Sequence, residues 1–157
     1  MAKLALNRSL ITHSPTSGMP VDMHMHSHHS DGRHSKERMI IEAYRKGTKI
    51  LTLTDHDTFT GVSHMVRLGA LFGIRVIPGA EITTWPVDGD KRIMRHILVY
   101  FPDLEAFQRL LDDKIFIDGN KRFIRKNHWD KTVQDVQAAV KSFPDVALVC
   151  NVVVIAD

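Results

Sequence analysis

Two histidines stand two residues apart at His24 and His26, in a stretch that holds six of the chain's ten histidines. In an extended segment alternate side chains leave the same face, so both imidazoles can grip one divalent ion while Met23 and Met25 turn into packing. Asp31-Gly32 follows in the next loop. Downstream come Thr54-Asp55-His56-Asp57, then Glu81 after Pro78-Gly79-Ala80, then His96. Imidazole mixed with carboxylate suits zinc, manganese or iron, and the lack of thiolates disfavours a purely structural zinc site. A carboxylate such as Glu81 can bridge two ions. Such a set suits a multi-metal centre, which activates water and stabilises both oxygens of a phosphoryl displacement. Each feature alone has a plainer reading: Asp31-Gly32 a turn, Asp55 and Asp57 helix caps, Glu81 a surface carboxylate, His96 a core histidine. What favours metal is their placement together.

That placement depends on the elements. Val21 to His26 reads as a short strand, Ser35 to Lys46 as a helix stopped by Gly47, and Lys49 to Thr54 as a buried strand. Thr60 to Phe72 reads as a second helix and Ile74 to Ile77 as a third strand, closed by Pro78-Gly79. Glu81 to Val87 and Arg92 to Phe101 pattern as a hairpin around Asp88-Gly89. Asp103 to Asp112 and Lys131 to Ser142 are helical, the latter with Asp130 placed to cap it, and Ala147 to Ile155 is an apolar strand. Strands alternating with helices predict an α/β fold with parallel strands, whose sites lie at the strands' carboxyl ends. The His/His, Asp, His, Glu and His residues fall at successive strand ends. His28, His29 and His34 lie in the loop near them. His13, His64 and His128 read as surface or helix residues.

With 157 residues, 43% hydrophobic and 25% charged, the chain is sized for one domain with a sizeable core. Disordered, collagen-like and multi-span membrane classes are excluded by this composition. The apolar run Val146 to Ala156 is too short for a membrane helix. Residues 1–19 read as a flexible lead-in without a secretory signal, and residues 20–157 as the domain. The single cysteine, Cys150, fits a reducing, cytoplasmic setting and reads as strand packing. A net charge of +3 suits an anionic substrate. The basic stretch Lys114 to Lys131 reads either as a solvated helix face or as a phosphate or nucleic-acid surface.

The segments VDMHMHSHHSDG, ILTLTDHDTFTGV, IPGAEIT and RHILVY resemble the opening motifs of the PHP (polymerase and histidinol phosphatase) family. Their order and spacing are similar from Val21 to about Tyr100, most of all to its small stand-alone phosphoesterases, which include nucleoside bisphosphate phosphatases and short-RNA exoribonucleases. The resemblance implies a distorted (β/α)7-type barrel, here partial or truncated, with two or three divalent ions (Mn, Zn or Fe) at the strand carboxyl ends. By position, His24, His26 and Glu81 hold one ion, Glu81 and His96 a second, Asp31 and His56 a third, while Asp55 and Asp57 orient His56.

The sequence also departs from the family pattern. The histidine that follows a later family strand and the closing Asp-x-His pair are missing. VVVIAD looks like that later strand, with Asp157 in the histidine's place, and Val99 stands where a glycine is common. These departures fit a fragment, a degenerate member, or a minimal form whose site a second copy of the chain completes.

The expected activity is hydrolysis of a phosphomonoester or phosphodiester by metal-activated water, on a small phosphorylated substrate such as a nucleotide or short nucleic acid. Lys91, Arg92 and Arg95 are candidates to hold the phosphate, although each also reads as a surface charge. Two other classes stay compatible: a metal-binding or interaction module derived from a PHP domain without catalysis, and an amidohydrolase-type metalloenzyme, whose barrel also opens with His-x-His.

Overall fold

The computed structural model describes residues 21–84, 93–112, 132–141 and 149–155. The lead-in, Lys91, Arg92, Asp130, Asp157, His13, His128 and all of the basic stretch Lys114 to Lys131 lie outside them. The elements run β1 (Val21–Asp22), α1 (Lys36–Arg45), β2 (Ile50–Leu53), α2 (Val62–Leu71), β3 (Arg75–Thr84), β4 (Ile93–Tyr100), α3 (Leu104–Asp112), α4 (Val133–Lys141) and β5 (Val149–Ile155).

Helix α1 starts where Ser35 accepts the N–H of Arg38 at 3.3 Å, with Glu37 in the first turn and Arg45 in the last. Both charges complement the helix dipole. It buries Met39, Ile40 and Ala43, whereas Tyr44 stays at the edge of the core, its ring 5.6 Å from that of Phe72. Helix α2 begins at Val62 rather than Thr60, because Gly61 stands at φ 78° and cannot be its first turn. Helix α4 is capped by Thr132, whereas Asp130, the cap expected from the sequence, lies outside the described residues. The Thr132 N–H donates to Asp135 Oδ2 at 2.8 Å and the Asp135 N–H to Thr132 Oγ1 at 3.2 Å, a reciprocal cap in which an aspartate replaces the usual glutamate.

The sheet order is β1-β2-β3-β4-β5. β1, β2 and β3 run parallel, as the strand–helix alternation predicts. β4 is antiparallel to β3, and β5 antiparallel to β4. β5 therefore runs in the same direction as β1, β2 and β3, but it joins the sheet through the reversed β4 rather than beside a parallel neighbour. An apolar run marks a buried strand but does not name its pairing partner.

Pro78-Gly79 does not end a strand either. β3 runs through it unbroken from Arg75 to Thr84, with Leu53 opposite Pro78 on one side and Tyr100 opposite Gly79 on the other. Proline has no N–H to give the β2 ladder, yet its carbonyl accepts the Phe101 N–H at 2.9 Å. A Cβ on Gly79 would meet Thr52 Oγ1 at 2.7 Å and the Val99 carbonyl at 3.0 Å. The dipeptide is thus where β3 changes from parallel pairing with β2 to antiparallel pairing with β4.

The core lies between the sheet and its helices. Leu51, Leu53, Ala80, Ile82, Ile97 and Val99 meet Ile40, Val62 and Met65. Phe59, Phe101 and Phe107 form an edge-to-face trio with centroids 5.2 to 6.0 Å apart, the favourable arrangement for aromatic quadrupoles. Among the described residues no helix is long and apolar enough to cross a membrane.

Candidate metal centre

Strand β1 pairs with β2 at Val21 and Asp22 and no further, so His24 and His26 stand just beyond it rather than within it. The chain there is still held extended. The Thr54 N–H donates to the Met25 carbonyl at 2.8 Å, and the Met25 N–H donates to Thr54 Oγ1 at 3.1 Å. Met25 packs on the core, which leaves the flanking histidines on the other face. The buried Tyr100 ring lies beside Gly79, and its hydroxyl donates to the Met23 carbonyl at 3.0 Å. Residue 23 is thereby tied to β4.

His56 stands beyond β2 in an isolated parallel bridge with Glu81. The Asp57 N–H donates to the Glu81 carbonyl at 2.8 Å, and Asp57 takes φ 51°, a left-handed conformation that aspartate tolerates better than most residues. In the β3–β4 pair Glu81 faces Leu98 and Thr83 faces His96. Glu81 and His96 are therefore diagonal neighbours on one face.

The side chains converge on Glu81. Its Oε2 lies 2.8 Å from His24 Nε2, 3.0 Å from His26 Nε2 and 3.8 Å from His56 Nε2, and its Oε1 lies 2.9 Å from His96 Nδ1. Asp31 closes the other side, with Oδ1 3.3 Å from His26 Nδ1 and Oδ2 3.6 Å from His56 Nε2. The rings of His26 and His56 stack at 4.6 Å. Three donor sets result: His24, His26 and Glu81; His26, Asp31 and His56; and His56, Glu81 and His96, each with its ligand atoms within 4.8 Å of one another. Two ligands of one tetrahedral ion stand about 3.4 Å apart, so small adjustments of these side chains accommodate cations. The donors are imidazole and carboxylate only, which fits zinc, manganese or iron.

The electrostatics are those of an acid held among bases. Burial alone would raise the Glu81 carboxyl, but hydrogen bonds from His26 and His24 and the nearby His56 and His24 charges more than offset it and hold it at about 2. The hydrogen bond to Glu81 raises His26 against its own desolvation, with Asp31 adding to the rise. Burial lowers His56, further from Glu81, and the His26 and His96 charges lower it more. Glu81 is 2% exposed, whereas Asp31 is 68% and His24 41% exposed. The cluster therefore opens to solvent on the His24 and Asp31 side.

The other sequence candidates separate. Asp55 turns away from His56. Its Oδ1 accepts the Ser27 N–H at 2.6 Å and the Ser30 hydroxyl at 2.9 Å, and its Oδ2 accepts the Ser27 hydroxyl at 2.6 Å. It thus fixes the loop that carries His26 and Asp31. Asp57 accepts the Thr83 N–H at 3.0 Å, which ties the segment after β2 to β3. Arg95 is half-buried and adjacent to His96 in a strand, so its side chain leaves the face opposite the cluster. The rings of His28 and His29 lie 4.4 Å apart, tilted by 41°, and the His28 N–H donates to the His34 carbonyl at 3.0 Å. His64 pairs with Glu37 on the surface at 2.9 Å. Ser27, Ser30 and Tyr100 carry supporting roles that the sequence did not single out. The serines inside the HSHHSDG run were the available signal; Tyr100 offered none.

A solved structure from Bifidobacterium adolescentis, assigned as a metal-dependent phosphoesterase, shares the fold with a TM-score of 0.55 at 17% identity, over 85% of this chain and 65% of that one. The chain is 32% identical over 77 residues to the phosphoribosyl 1,2-cyclic phosphate 1,2-diphosphodiesterase of Eggerthella lenta, covering 49% of this chain and 29% of that protein. It is 40% identical over 63 residues to a 5'-3' exoribonuclease of Haemophilus influenzae, covering 40% and 23%. The chain thus spans less than a third of the length of either curated relative. The PHP domain profile matches residues 22–141, a span that takes in all six converging donors and most of the described fold, and the chain belongs to the PHP domain family.

Proposed function

We propose that this chain is a metal-dependent phosphoesterase that hydrolyses a phosphomonoester or phosphodiester of a small phosphorylated molecule such as a nucleotide or short oligonucleotide. The observation that carries the reading is the buried Glu81 carboxylate ringed by His24, His26, His56 and His96. Withdrawing a carboxylate from water costs several kcal/mol, and apolar residues would fill such a place at least as stably. A ring of imidazoles open to solvent on one side is the arrangement a cation site requires. Divalent ions held there lower the pKa of water and neutralise developing phosphoryl charge.

In this reading Glu81 is the shared ligand. His24 and His26 complete one donor set with it, and His56 and His96 another. Asp31 joins His26 and His56 on the exposed side, where a phosphate has room to approach. The cyclic-phosphate diesterase and exoribonuclease activities of the two relatives support phosphoester chemistry and a nucleotide-like substrate.

The test is elemental analysis of the purified chain, paired with a screen of phosphomonoesters and phosphodiesters in added manganese, run beside Glu81→Gln. Manganese-dependent turnover that the substitution abolishes supports the proposal. Bound metal without turnover on any phosphoester overturns the catalytic half and leaves a metal-binding module. No metal uptake overturns the whole reading.

A further inference from the structure

Lys36 occupies the first position of α1, ordinarily a solvated place for a lysine, yet it is 3% exposed. Its stem runs back under the loop and lies against Gly61, where a Cβ would stand 2.3 Å from Lys36 Cε. Its Nζ lies 3.3 Å from Ser27 Oγ and 2.7 Å from His29 Nδ1. Lysine can only donate, so it reaches a hydroxyl lone pair and the unprotonated nitrogen of a neutral imidazole. Burial pushes the ammonium below the usual lysine range, against the pull of Asp55.

Ser27 is the hub of the loop. Its hydroxyl gives its one proton to Asp55 Oδ2 at 2.6 Å and accepts from the His29 N–H at 3.2 Å and from Lys36 at 3.3 Å, which uses its full capacity of one donor and two lone pairs. Its N–H goes to Asp55, and its carbonyl accepts the N–H groups of Ser30 at 3.1 Å and Gly32 at 3.0 Å. Asp31 sits between those two residues. Asp55 is 1% exposed and Ser27 fully buried, and a buried carboxylate needs a compensating cation. Lys36 supplies it through the serine hydroxyl. His26 and His56 face both Glu81 and Asp31, whereas Asp31 is largely exposed and owes its position to this loop.

We propose that Lys36 is a positioning residue for the metal centre: through Ser27 and Asp55 it fixes the loop that presents Asp31, and so sets the affinity of the ion held by His26, Asp31 and His56. This inference rests on the metal-centre reading above. It gives Lys36 no contact with substrate or metal and a selective effect on one of the three donor sets.

The experiment titrates manganese into the metal-stripped full chain by calorimetry and electron paramagnetic resonance, for the parent, Lys36→Met, Asp31→Asn and the double variant. Lys36→Met should weaken one class of site by about tenfold or more, the usual scale for a residue that supports a ligand. The remaining sites should stay within about twofold, and the substitution should add nothing in the Asp31→Asn background, because residues acting through one contact are not additive. Titration identical to the parent, equal weakening of every site, or a further loss on top of Asp31→Asn overturns the proposal. Should the methionine variant fail to fold by circular dichroism, Lys36→Pro removes the same ammonium at a first helical position that suits proline, and the same outcomes decide. A parent chain that binds no manganese overturns the metal-centre reading itself.

Discussion

His56 and Glu81 face each other in the register that Leu53 and Pro78 set, so the bridge beyond β2 is the β2–β3 pairing continued past a short break. Because side chains alternate along a strand, a slip of one residue would turn Glu81 from its imidazoles into the core. Glu81 is thus placed by backbone pairing on both sides: with His56 through this bridge, and with His96 diagonally across β4.

Replacing Glu81 by Gln keeps the shape and removes the shared charge. Manganese should raise the melting temperature of the parent, by an amount equivalent to about 2.7 kcal/mol at a hundredfold excess over Kd. The variant should show little of that rise. Differential scanning calorimetry with and without manganese measures both.

In metal-free protein Glu81 gives stability a low-pH dependence. Its carboxyl is held at about 2 against an ordinary 4.5. The carboxylate's contribution is present above about 4.5 and is lost as pH falls towards 2, amounting to roughly 3 kcal/mol. Urea unfolding with chelator between pH 2 and 6 should show this loss in the parent and a flatter profile in Glu81→Gln.

Asp55→Ala strips the Ser27 and Ser30 hydroxyls and the Ser27 N–H of their acceptor. Leaving buried donors unpaired costs about 1–3 kcal/mol each when no water reaches them. Manganese affinity should fall as well, by about 10- to 100-fold. Chemical denaturation and calorimetric titration read the two effects, and unchanged metal affinity would refute the link between Asp55 and the donor loop.

Gly79→Ala drives a methyl towards Thr52 Oγ1 and the Val99 carbonyl. Overpacking of this kind costs about 1–3 kcal/mol, and here it also presses on the ring of Tyr100. A lowered melting temperature is expected, together with weaker manganese binding, since Tyr100 holds the backbone beside His24.

His24, His26, Asp31 and His56 are legible as a set because each follows a segment whose hydrophobic pattern marks a strand, and strand ends gather in α/β folds; Glu81 and His96 lie within β3 and β4 and join them through strand pairing. Arg95 reads from the sequence as a phosphate contact, although strand alternation sets it on the face opposite His96. The pairing of β5 with β4 and the continuity of β3 through Pro78-Gly79 were not legible, because apolar runs encode burial and not pairing partners. Lys36 was hidden for a different reason. A lysine at a helix start looks like any solvated charge, and only the tertiary placement of Ser27, His29 and Gly61 makes it an interior group.

The hand-over at Pro78-Gly79 has a mechanical consequence. One strand belongs to the parallel half on its first residues and to the antiparallel half on its last, and Glu81 lies just past the seam. Cations shared among His24, His26, His56 and His96 would rivet the two halves together, so chelation should speed amide exchange along β4, which carries His96, more than in α1, which carries none of the six donors.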